Sequence, residues 1–90
     1  MNIDFEQFEV YSDLAKKNKV VLNVKEDFAN VIYQRGQGIA FHALALKIWN
    51  SHGEEEYNEN EYALMKRISE ALFSPQFIDA LEEYGRQHRT

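Results

Sequence analysis

Ninety residues, 44 % of them hydrophobic and 28 % charged, describe one globular domain that buries about 60–65 % of its unfolded surface, too thin a body for an enzymatic cleft of its own. A net charge of −5, from fifteen acids against ten bases, disfavours nucleic acid, whose affinity is built from cations that release counterions. The absence of cysteine excludes disulfides, thiolate metal sites and cysteine nucleophiles, and suits the reducing cytoplasm.

The chain opens Met1-Asn2-Ile3-Asp4, without the basic and apolar regions of a signal peptide, so export by that route is not expected. A first helix is predicted from Asp4, with Gln7 closing a capping box and Ile3 stapling against Phe8. Phe5, Phe8, Tyr11, Leu14 and Ala15 would share one face, and Lys16-Lys17-Asn18 would end the helix. Val20-Val21-Leu22-Asn23-Val24 is strand-like by its β-branched residues, yet a strand needs a ladder partner and none is evident. The segment 20–24 is therefore expected to be an extended connector packed on the core, or else a strand paired with its own copy in a second chain.

Asn23 and Glu26 mark a second helix, with Phe28, Ala29, Val31 and Ile32 facing inward and Gly36 as its stop. After the turn Gly36-Gln37-Gly38, the segment from Ile39 to about Ser51 is apolar at nine of its first eleven positions. A helix apolar nearly all round belongs at the centre of a fold or in an oligomer interface. Its length of about 17 Å is too short for a bilayer core of about 30 Å. Gly53 and an acidic loop over 53–60 lead to a fourth helix, capped by Asn58 or Asn60, with Tyr62, Met65, Ile68 and Leu72 at helical spacing. Ser74-Pro75 is an N-cap followed by proline at the first helical position, and Phe77, Ile78, Leu81 and Tyr84 line the fifth helix. Gly85 weakens that helix, and residues from about 86 to 90 should fray. The expected fold is all-α: a single small orthogonal bundle of five short helices over residues 1–90.

No residue set marks a reaction. The two tight helical corners resemble helix-turn-helix spacing, but the third helix offers almost no polar side chain and the fifth offers Asp79, Glu82 and Glu83, which repel phosphates. His42 sits in an apolar helix with no nucleophile or carboxylate at motif spacing, so it reads as a structural histidine; His52 and His88 read as solvated. Glu54, Glu56, Asn58 and Asn60 alternate oxygens as a calcium loop does. Counted from Glu56, however, the glycine and bidentate-acid positions hold Glu61 and Arg67. Glu82-Glu83 and Asp79 lack anything to shift their acidity, and Ser12, Ser51, Ser69 and Ser74 lack a nucleophile elbow. No cofactor or metal is expected.

Aromatic residues make up 13 % of the chain, more than a thin core requires, so some should reach the surface. Tyr33, Trp49, Tyr57, Tyr62 and Tyr84 are the candidate partner-binding residues, because Tyr and Trp dominate interface hot spots, with a plain core position as the other reading of Trp49. The sequence thus reads as a small acidic, cytoplasmic interaction module without catalytic activity, binding a protein partner or its own copy. The alternative is a nucleic-acid-related regulator, a divergent helix-turn-helix protein or an acidic mimic of nucleic acid.

Overall fold

A computed structural model describes residues 2–87. Two short strands, β1 (Asn2–Ile3) and β2 (Phe8–Tyr11), are followed by β3 (Lys19–Leu22), α1 (Lys25–Arg35) and α2 (Ile39–Trp49). Then come β4 (Glu55–Glu56), α3 (Glu59–Leu72) and α4 (Pro75–Gln87). The expected all-α bundle of five helices is therefore overturned: the described residues form an α+β fold, with four helices and two small antiparallel sheets, β1 with β4 and β2 with β3.

Most of the error lies in the first twenty-four residues and has a definite cause. Ile3 and Phe5 alternate inward with period two, as do Phe8 and Val10, and all four are buried. Between the strand fragments stands a tight turn over residues 4–7, opened by Asp4, whose carboxylate accepts the N–H groups of Glu6 at 2.9 Å and Gln7 at 3.2 Å. Two strand fragments separated by a turn thus reproduce the i, i+3 spacing of a helix at Phe5 and Phe8. Asp4 does bind free N–H groups as a cap would, but the chain leaves the turn extended. Leu14, assigned to the inward face of that helix, is 92 % exposed in the β2–β3 loop. The left-handed residue of the loop is Lys16, φ 59°, held by a 3.0 Å bond from its N–H to the Asp13 carboxylate.

Residues 20–22 have a ladder partner after all, and it is the stretch misread as helix. Phe8 pairs with Leu22, Glu9 with Val21, Val10 with Val20 and Tyr11 with Lys19. The connector reading of 20–24 is thereby overturned, and no second chain is needed to form this strand. Residue 24 leaves the ribbon by donating its N–H to the Phe5 carbonyl at 2.8 Å.

The C-terminal elements follow the expected boundaries more closely. In α1 the Asn23–Glu26 capping box does not form; Val24 is the N-cap, and Asn23 accepts only the Lys25 N–H at 3.3 Å. The helix stops at Gly36, where a Cβ would stand 2.6 Å from both the Ile32 carbonyl oxygen and the Phe41 Cβ. In α2 only Leu44, Ala45 and Ile48 are fully buried, while Ile39 is 86 % exposed. This helix packs on α1 at the periphery and does not form the centre of the fold. Part of the acidic loop is the strand β4, and α3 begins with a full Asn58/Glu61 capping box: the Asn58 side chain accepts the Glu61 N–H, and the Glu61 carboxylate the Asn58 N–H. Ser74 accepts the Phe77 N–H at 3.4 Å and opens α4 as expected. The helix continues through Gln87, and residues 88–90 of the expected frayed tail lie outside those described.

Aromatic rings form the core. Phe5, Phe8, Phe28, Phe73 and Phe77 make a chain of contacts with centroids 4.6–5.5 Å apart, extended by Tyr57 against Phe5 and Tyr84 against Phe8. These rings come from the N-terminal turn, β2, α1 and the α3–α4 corner, so they join the sheet to the helices. Most of the surplus of aromatics inferred from composition is absorbed here.

Candidate functional site

The helical hairpin of α1 and α2 carries an open apolar surface. Ala29, Asn30 and Tyr33 of α1 and Ala45, Leu46 and Trp49 of α2 line a groove of about 180 Å³. Each helix contributes positions i, i+1 and i+4, which lie along one edge of a helix. Ala29 and Ala45 are buried and form the floor, since small side chains let the two helices approach. Tyr33, 63 % exposed, Leu46, 46 %, and Trp49, 45 %, rise around it. The imidazole of His42, exposed on α2, lies 5.8 Å from the Tyr33 ring and extends the rim.

Of the five aromatic residues singled out from the sequence, the structure brings together Tyr33 and Trp49. The other three are engaged by the fold. Tyr57 is 1 % exposed, packs edge-on to Phe5, and has the Lys47 ammonium 4.8 Å above its ring. Burial pushes its phenol well above the ordinary value, with the nearby Ser51 side chain pulling the other way. Tyr62 is half-buried across Gly85. Tyr84 stacks on Phe8 at 5.1 Å, and its hydroxyl oxygen accepts the Glu9 N–H at 3.3 Å. Sequence reasoning missed Leu46 and the two floor alanines; the available signal was the matched small-residue positions 29 and 45 on consecutive helices.

A second depression, about 520 Å³, is lined by Asp4, Glu9, Glu54 and Glu83 with Lys19. Most of these carboxylates already have structural partners. Asp4 holds its turn, Glu9 lies 3.7 Å from Lys19, and Glu83 pairs with Arg86 at 2.8 Å. Nearby, Glu6 ties three elements together: it accepts the Gly53 N–H at 2.9 Å and contacts the Lys25 ammonium at 3.3 Å, and Lys25 also donates to the Ser51 carbonyl. The Gly53 bond and then Lys25 hold the Glu6 carboxyl below the ordinary carboxylate range.

Among the described residues no three His, Asp or Glu side chains are grouped to hold a metal ion, and no helix is long and apolar enough to cross a membrane. Comparison with protein-family models, with characterised proteins and with solved structures found no match to this chain.

Proposed function

We propose that this protein is a non-catalytic interaction module that receives an apolar side chain of a protein partner in the α1–α2 groove. The observation that carries this reading is the convergence of Tyr33, Leu46 and Trp49, all exposed, around a floor of buried alanines. Aromatic rims around a small apolar depression are the usual anatomy of a hot spot. A reducing, cytoplasmic setting is part of the proposal, supported by the lack of cysteine. The acidic depression gives less support to mimicry of nucleic acid, because its carboxylates are largely committed to neighbours within the chain.

The test begins with a photo-crosslinking residue at Leu46 to trap the partner in cells, followed by titration of that partner in purified form. Trp49 is the sole tryptophan, so its fluorescence reports occupancy of the groove. Trp49→Ala and Tyr33→Ala should each weaken binding by about tenfold or more, with the folded state retained. Unchanged affinity in both variants would overturn the proposal.

A further inference from the structure

The two edges of the β2–β3 ribbon are treated differently. In its ladder the hydrogen-bonded pairs are the even-numbered residues of β2, since the Ser12 N–H continues the series by donating to the Asn18 carbonyl at 2.9 Å. Glu9 and Tyr11 therefore turn their main-chain groups away from β3, and α4 caps them there. The Glu9 N–H meets the Tyr84 hydroxyl, and the Gln76 amide donates to the Tyr11 carbonyl at 2.6 Å. On the opposite edge Lys19 and Val21 turn their N–H and C=O groups outward, and among the described residues nothing bonds them. Every residue of β3 is exposed, including Val20 at 41 %, Val21 at 59 % and Leu22 at 42 %. An open edge carrying three successive apolar residues is a template for another strand.

We propose that β3 pairs antiparallel with β3 of a second copy of this chain, about a two-fold axis through Val20. This register is singled out by the residues themselves. It sets Lys19 against Val21 of the other copy and Val21 against Lys19, so all four open main-chain groups of each strand are satisfied by strand residues alone. Val20 then faces Val20, and the row across the buried face reads Val10, Val20, Val20, Val10, which continues the core face of β2 into the partner. The row on the other face reads Glu9, Val21, Lys19, Tyr11. No like charges meet, and Lys16 and Lys17 fall beyond the paired segment. The product is a four-stranded sheet in place of two ribbons that are marginal alone. This interface is separate from the α1–α2 groove.

The experiment is light scattering from micromolar to millimolar protein, joined to cysteine trapping in a chain that has no cysteine. The mass should rise with concentration from 10.6 kDa to twice that value. Val21→Pro removes an outward N–H and leaves the β2 bonds of Val20 and Leu22 in place, so this variant should remain at the monomer mass. Facing residues of a non-hydrogen-bonded pair have Cα atoms about 4.5 Å apart, within disulfide range. Val20→Cys, a nearly isosteric change that keeps the test decisive if proline disturbs β3, should oxidise to a covalent dimer. Val21→Cys, which faces Lys19, should do so about tenfold more slowly. Trp49→Ala should dimerise as the parent does. A parent that stays monomeric at millimolar concentration would overturn the proposal and leave the edge to some other extended chain. So would equal cross-linking at positions 20 and 21, or dimerisation lost with Trp49→Ala.

Discussion

Tyr62 lies across Gly85, so close that a Cβ on the glycine would stand 2.5 Å from the phenol oxygen and 2.6 Å from Cζ. The glycine sits inside α4, and by helix propensity alone alanine would stabilise that position by about 1 kcal/mol. The overlap reverses the sign. Gly85→Ala should destabilise the fold by about 1–2 kcal/mol, because Tyr62 must leave its rotamer or α3 and α4 must separate. In a Tyr62→Leu background the same substitution should become neutral or stabilising. Thermal melts of the double-mutant cycle decide it, and additivity would show that the two residues do not act on each other.

Glu6 predicts an acid limb in the stability profile. Its folded-state pKa lies below the ordinary 4.5, so its contribution is fully present above that value and is lost as pH falls through the folded pKa. Glu6→Gln keeps an oxygen for the Gly53 N–H but loses the charge. The stability difference between parent and variant should therefore be constant near neutral pH and shrink below about pH 4.5. A pH-independent difference in urea midpoints would rule the linkage out.

Tyr84→Phe retains the ring stacked on Phe8 and removes the acceptor of the Glu9 N–H. A loss of about 0.5–1.5 kcal/mol is expected, with faster hydrogen exchange at the Glu9 amide as its local signature. Burial raises the Tyr84 pKa above the ordinary 10, so the phenol stabilises the fold below pH 10 and this contribution disappears as pH rises through the folded value. Tyr84→Phe should accordingly blunt the alkaline limb. An unaltered exchange rate at Glu9 would contradict the edge-capping role.

At the start of α3, Asn58→Ala should cost about 1 kcal/mol and lower the melting temperature by roughly 4–8 °C, whereas Asn58→Asp should restore most of it. Glu61 has two tasks, the capping box and a 3.0 Å pair with Lys47, whose ammonium lies over Tyr57. Glu61→Ala should therefore be the more damaging change, and Glu61→Gln intermediate. If Glu61→Ala matches Asn58→Ala within error, the ion pair adds nothing.

Local chemistry was enough to place the ends of three helices. Ser74-Pro75, a cap at Asn58 or Asn60 and the stop at Gly36 each act through neighbouring atoms, so the order of residues alone marks the starts of α3 and α4 and the end of α1. The same reasoning failed over residues 4–22. A strand's hydrogen bonds go to residues distant in sequence, and Phe8–Tyr11 could be recognised as a strand only together with Lys19–Leu22. Local spacing at Phe5, Phe8 and Tyr11 fits a helix equally well until the turn at Asp4 is known.

The candidate site shows the same division. That Tyr33 and Trp49 were contact candidates followed from residue type. That they share a groove with Leu46 while Tyr57, Tyr62 and Tyr84 are consumed by the fold depended on how the elements pack. Residue order set the caps of α3 and α4, the acidic charge and the apolar character of α2. Packing selects which apolar side chains are covered, because burial depends on which surfaces meet and not on the side chain alone.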